Sequence, residues 1–306
     1  MLGLIALLAL EAPPAEPLAL YARARATIET HGDALWPGLA DAPFRMLLND
    51  GEREFLVCGD APDGFEPAGM DPATGCSLAS RDAHFGPNLL ATFPLFGVST
   101  IVIGTPEETG QTPRAWQQIV LHEHMHQFQD THPAASHAAI QALDLHGGDE
   151  TGMWMLNYPF AYDDPATAEA ARTLADAALA ALDADTEGFD AAFSAYAAAR
   201  AAFSAGLSGA DTRYYEFQVW KEGVARWTEL ALARLAGDTD EAARQEARMR
   251  RELRDLSLPD WQRIAFYALG SADAELLERR DAAWREAYFD HPFRLDTHFA
   301  SAGTRR

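Results

Sequence analysis

The sequence predicts an α+β fold, with a small and mainly antiparallel N-terminal sheet followed by a helix-rich body. Three stretches carry that expectation. In "FRMLLNDGEREFLVC" two strand-like apolar runs flank Asn49-Asp50-Gly51, a strong hairpin turn. "GVSTIVIGTP" is a β-branched run bounded by glycine and proline, which reads as another strand. From Thr112 onward apolar residues recur at helical spacing almost to the end of the chain. At 306 residues, 48% hydrophobic and 23% charged, the chain has the length for a sizeable core and the composition of a globular protein.

Taken in order, the chain opens on Leu2 to Leu10, an apolar run too short to span a bilayer but suited to the core of a secretory signal over residues 1–15. The expected location is therefore exported, periplasmic or secreted, and cytoplasmic if the run is not a signal. Residues 16–306 read as one domain, with a sheet-containing part over 16–110 and a helical part over 111–306. Leu18, Tyr21, Ile28 and Leu35 suit an opening helix over 17–35. After the hairpin, Cys58 and Cys76 flank the loop "GDAPDGFEPAGMDPATG"; in an oxidising compartment they can close one disulfide over it.

Thr112-Pro113 places a capping hydroxyl before a proline at the first helical position, and so opens a helix running to about Gln129. Further helices are expected at 134–145, 164–183, 187–206, 212–235, 239–256, 259–269 and 272–288. Phe189, Phe193, Tyr196 and Phe203 fall on one face of the 187–206 helix. Gly270 and Ser271 mark an expected junction between the last two, with Trp284 and Tyr288 behind it. The aromatic stretch "GGDETGMWMLNYPFAY" reads as a core plug or the lining of a cleft.

The net charge of −22 argues against nucleic acid or an anionic membrane as the main partner, because both would be repelled. No stretch is long enough for stable membrane insertion. A peptide or protein substrate remains, for the following reason.

His122, Glu123 and His126 form His-Glu-x-x-His within the 112–129 helix. Histidines four apart stand one above the other, so both imidazoles can reach a single ion. Glu123 is turned roughly 100° from them, beside the ion and not on it, where it can act as a base. Zinc suits a site of this nitrogen and oxygen character. His124 lies on the other side of the helix and reads as solvent-facing or supporting.

The third ligand is sought in "YYEFQVWKEGVARWTELALARL". Trp220, Val224, Trp227 and Ala231 make an apolar seam there, and Gln218, Glu222, Arg226 and Glu229 a polar stripe. Glu222 stands next to Gly223, and a glycine permits two helices to approach closely. "HEHMH" followed by "KEGVARWTE" resembles the gluzincin group of zincin-type zinc metallopeptidases, over about 20 residues in two pieces. By that resemblance Glu222 is the third zinc ligand and Glu229 a supporting carboxylate. The separation from His126 to Glu222 is much longer than in that group, so 134–210 reads as a helical insertion. Two alternative ligands stand beside Glu222. His132 has metzincin spacing, but with Gln129 in place of the glycine, and Glu150 follows the motif in "HGGDETGMW".

In a zincin mechanism Glu123 is the base and a tyrosine or arginine stabilises the oxyanion. Tyr215 is the first candidate for that donor, followed by Tyr214 and Arg226. "GVSTIVIG" resembles the edge strand above the zincin site, though an interior strand fits its composition as well. The expected function is a zinc-dependent metallopeptidase. The alternatives are a zincin acting on a non-peptide substrate, and a helical binding protein whose zinc is structural or whose site is silent.

Overall fold

The computed structural model describes residues 14–149 and 151–301. The N-terminal apolar run and Glu150 lie outside the described residues. The fold is α+β, a six-stranded sheet followed by a helix-rich body. Contacts gather into two compact units, one of residues up to 30 with 40–127, the other of 31–39 with 128–306.

The first unit opens with α1 (Ala15–Leu35), which extends beyond it, followed by β1 (Met46–Asn49) and β2 (Arg53–Val57). The hairpin forms at the expected turn. Gly51 takes φ +98°, a conformation that favours glycine, while Asn49 and Asp50 side chains accept the Gly51, Glu52 and Arg53 amides. β3 (Glu66–Met70), β4 (Ser77–Asp82), β5 (Leu90–Leu95) and β6 (Val98–Gly104) complete the sheet. The strand order is β3-β4-β2-β1-β6-β5, antiparallel throughout except between β1 and β6. Leu47 stands opposite both Leu56 and Val102, and this buried row is covered by Phe65, Phe85, Leu89, Phe93 and Leu95. Full burial of each such aliphatic side chain contributes about 1.5–3 kcal/mol. Cys58, just after β2, and Cys76, just before β4, form the expected disulfide, and the Arg25 guanidinium lies against both sulfurs.

Two expectations about this sheet need correction. "GVSTIVIG" is not an edge: β6 is paired on both sides, by β1 and β5. The edges are β3 and β5, and Pro94 of β5, which could not donate to a further ladder, is tolerated there for that reason. The loop expected between Cys58 and Cys76 contains a strand, β3, and the sequence assigns no element to the stretches that form β4 and β5.

α2 (Pro113–Thr131) begins at the expected cap, with the Ala115 amide donating to the Thr112 hydroxyl. It is held to the sheet by side chains that satisfy strand-end carbonyls. Trp116 Nε1 donates to Gly104 at 2.7 Å, and Gln127 Nε2 to Arg45 and Ser99 at 2.9 and 3.0 Å.

The second unit continues with short α3 (His137–Gln141) and α4 (Trp154–Asn157), then α5 (Pro165–Asp183), α6 (Phe189–Gly206) and α7 (Gly209–Gln218). A π-helical turn, Val219–Gly223, leads into α8 (Val224–Leu235). α9 (Thr239–Arg254), α10 (Leu258–Trp261), α11 (Ala265–Arg280) and α12 (Asp296–Ser301) follow. The 134–210 region is part of this unit's core: from α6, buried Arg200 reaches Glu216 at 2.8 Å and Asp273 at 3.0 Å. The helix expected over 134–145 is a 3-10 turn and the five residues of α3. Its capping Ser136 restarts the chain, and Asp144, Gly147 and Gly148 at positive φ end it. Gly270 and Ser271 are not a junction. α11 runs straight through them, and the break falls earlier, at Gln262 with φ +49°. The 151–162 stretch is a plug: Trp154 and Phe160 are buried, and the Met155 carbonyl accepts from Tyr214 and Gln218. No helix among the described residues is long and apolar enough to cross a membrane.

Candidate metal centre

α2 presents two different faces. Toward the sheet it sets His124, fully buried and stacked on Phe44 at 3.8 Å, with Nδ1 2.9 Å from Gln127 Oε1. The solvent-facing reading of His124 is therefore wrong: the opposite side of this helix is itself covered. Along the other face His122, His126 and Asp130 follow at intervals of four.

His122 and His126 are buried, and their Nε2 atoms stand 3.1 Å apart. Two nitrogens each about 2.1 Å from one tetrahedral ion would be separated by about 3.4 Å, so little movement converts this pair into a chelate. Glu123, between them in sequence, is only 6% exposed. Its carbonyl accepts from the Thr92 hydroxyl of edge strand β5 at 3.0 Å. Its carboxylate Oε2 is buried with no hydrogen-bond partner. An unsatisfied buried carboxylate oxygen costs at least about 1–3 kcal/mol, which is unfavourable unless a proton-bearing group is expected there.

Glu222 sits in the π-helical turn, a local widening that leaves backbone carbonyls without their usual helical partners. Gln129, on the last turn of α2, takes up two of them: its Nε2 lies 3.3 Å from the Trp220 carbonyl and 3.1 Å from that of Lys221, and 2.8 Å from the Tyr288 hydroxyl. Asp130 pairs with Lys221 at 2.6 Å. Thus the helix that carries His126 is fastened, one turn further on, to the residues that precede Glu222. One ligand atom each from His122, His126 and Glu222 lie within 4.8 Å of one another.

The surroundings of Glu222 differ from the sequence expectation. Tyr267 of α11 donates to its carboxylate, and Arg263 Nη1 donates to the Tyr267 hydroxyl at 2.8 Å. Neither residue carries a sequence signal. They arrive because Gly223 packs against Gly270, one turn beyond Tyr267. Gly223 thus does permit close approach, to α11. Arg226 pairs with Glu229 at 3.2 Å and lies 3.7 Å from Glu252, and its guanidinium sits over the ring of Tyr267, the residue that contacts Glu222.

Tyr215 does not face the group. It is fully buried between Phe203 and Phe266, with the Arg200 guanidinium over its ring, and burial holds its hydroxyl far above the usual phenol range. The π turn is the physical reason. Seven residues apart, Tyr215 and Glu222 would share a face of an uninterrupted α-helix, and the extra residue turns them apart by roughly 100°. Tyr214 is engaged by the Met155 carbonyl. His132 caps the 3-10 turn, its Nδ1 accepting the Ala134 amide and its ring stacked on Phe289, so the structure places it outside the group. The helix does not turn at Gln129 as metzincin geometry would need.

Compared with protein-family models, with curated proteins and with solved structures, the chain matches none.

Proposed function

We propose that this chain is a zinc-dependent hydrolase of the metallopeptidase type, with His122, His126 and Glu222 holding the metal and Glu123 as the base. The observation that carries this reading is the Glu123 carboxylate: a buried, partnerless oxygen on a residue set in sequence between two imidazoles already at chelating distance. A purely structural site has no use for such a group beside its ligands. Zinc bound there supplies a Lewis acid, which polarises a carbonyl and makes a water acidic near neutral pH.

Glu123 accepts the proton of the attacking water at Oε2 and delivers it to the leaving amine nitrogen, so one carboxylate serves as base and then as acid. Tyr267 holds the Glu222 carboxylate in one orientation, the task that partners behind a metal ligand perform. The disulfide is compatible with export, since such bonds persist in oxidising compartments.

The test is metal content by elemental analysis after exhaustive dialysis, on the wild type and on Glu222→Ala. The expected result is one zinc per chain in the wild type and its loss in the variant. Full retention in Glu222→Ala moves the third ligand elsewhere, and no zinc in either protein, even after adding it back, removes the proposal. Zinc with four protein ligands and no hydrolysis of any peptide points to the structural alternative.

A further inference from the structure

Arg263 differs from three arginines of the same helical unit, Arg200, Arg226 and Arg234. Those three are each paired with carboxylates. Arg263 makes no ion pair with any carboxylate among the described residues. Its protein contacts are the 2.8 Å hydrogen bond from Nη1 to the Tyr267 hydroxyl and a position over the Tyr267 ring, 5.7 Å from its centroid. In a chain with net charge −22, a partly buried guanidinium without a carboxylate ion pair calls for an explanation.

Its placement supplies one. Through Tyr267 it is one hydrogen bond removed from Glu222. Glu222 also acts on it electrostatically, but when Glu222 binds a cation that negative charge is neutralised locally, and Arg263 is left uncompensated beside the site. The backbone holds it there at a cost. Gln262 takes φ +49° and ψ −130°, an unfavourable conformation for a residue with a side chain, between α10 and α11. The following Ile264 is 48% exposed, so the same turn offers an apolar surface next to the cation. With Nη1 occupied by Tyr267, the Nε and Nη2 edge remains, the planar fork that receives a carboxylate through two parallel bonds.

We infer that Arg263 receives a carboxylate of the substrate, so that the hydrolase takes peptides with a negative charge near the bond to be cleaved. That charge comes from an acidic side chain or from the C-terminal carboxylate of the peptide. The inference rests on the zinc hydrolase reading above. Arg263 sets specificity and takes no part in the proton transfers.

The experiment uses the full-length chain carrying Glu123→Gln, supplied with zinc, so that peptides bind without being cut. Three peptides of one sequence are titrated calorimetrically: a glutamine peptide with an amidated C-terminus, its glutamate counterpart, and the glutamine peptide with a free carboxylate. The expected result is that one or both carboxylate peptides bind about tenfold to a hundredfold more tightly than the neutral one. Which of the two binds identifies the source of the charge. Adding Arg263→Gln abolishes the difference, and Arg263→Lys, which keeps the charge but not the fork, restores part of it. Equal binding of all three, no binding of any, or a preference that survives Arg263→Gln overturns the inference. Zinc content on the same samples separates the two claims. Loss of zinc binding with the carboxylate preference intact removes the hydrolase reading alone, and zinc bound without the preference removes this inference alone.

Discussion

Gly223 and Gly270 meet backbone to backbone, so closely that a Cβ on Gly223 would lie 2.3 Å from the Gly270 Cα. No side chain can be accommodated between them, because what it would strike is main chain. The contact registers α11 against the π turn and thereby sets Tyr267 opposite Glu222. Gly223→Ala or Gly270→Ala should cost about 3 kcal/mol or more, the upper range for overpacking. Urea unfolding measures this, and a loss below about 1 kcal/mol would show that the helices separate freely.

Gln129 holds the end of α2, the helix of His122 and His126, to the π turn. Gln129→Leu leaves the Trp220 and Lys221 carbonyls without that donor, and the Tyr288 hydroxyl loses one of its two partners. The expected loss of stability is about 2–3 kcal/mol. Zinc affinity should also fall about tenfold, as expected when a group behind a ligand is removed. Competition against a chelator reads the affinity, and an unchanged value would mean that Glu222 is held without this link.

Glu123→Gln keeps the shape of the side chain but removes its ability to take a proton. Zinc content should remain that of the wild type, while release of amines from a denatured protein substrate should drop at least about a hundredfold. Wild-type turnover by this variant would show that the base is another residue.

Asp273 lies in the core of the helical unit, fully buried, accepting from the Tyr196 hydroxyl at 2.5 Å and from Arg200. Burial pushes its carboxyl up to about 6, against the pull of Arg200, which Glu216 shares. The folded protein therefore keeps a proton between about pH 4 and 6 that the unfolded chain has released, and this contribution to stability declines as pH rises through that window. Its size is about 2–3 kcal/mol. Asp273→Asn, neutral throughout, should lack this decline, which unfolding curves at pH 4, 5, 6 and 7 would reveal. Parallel pH profiles for both proteins would contradict it.

The disulfide closes across neighbouring strands, since Val57 of β2 pairs with Leu78 of β4 beside it. For a separation of 18 residues, replacing Cys58 and Cys76 by serine should cost about 3 kcal/mol through the freed unfolded chain. Thermal unfolding with and without reductant tests this, and equal melting temperatures would show the bond to be dispensable.

Much of the fold could be read locally. The Asn49-Asp50-Gly51 hairpin, the Thr112 cap and the helices over 165–183, 189–206 and 239–254 rest on turn chemistry and periodicity within single segments. β3 to β5 were not legible. β3 contains Pro67 and Gly69 and is largely exposed, Met70 at 67%; β4 buries three residues in a row, Leu78 to Ser80; β5 is half-buried and interrupted by Pro94, so none of the three shows a clear alternation. The junction placed at Gly270 shows the opposite error. In the sequence Gly270 reads as a helix end, and in the structure it is a contact within α11.

The sequence by itself determined an α+β chain and the pairing of His122 with His126, because a spacing of four on a helix is a local geometric fact. It also pointed to Glu222, through a resemblance spanning a few residues. Only the tertiary structure decided which side chains surround Glu222. An inserted residue in the π turn swung Tyr215 into the core, and a glycine contact brought Tyr267 and Arg263 from a helix about 40 positions away. Helical phase and interhelical distance are properties of packed neighbours, and neither is written in the order of residues along one segment.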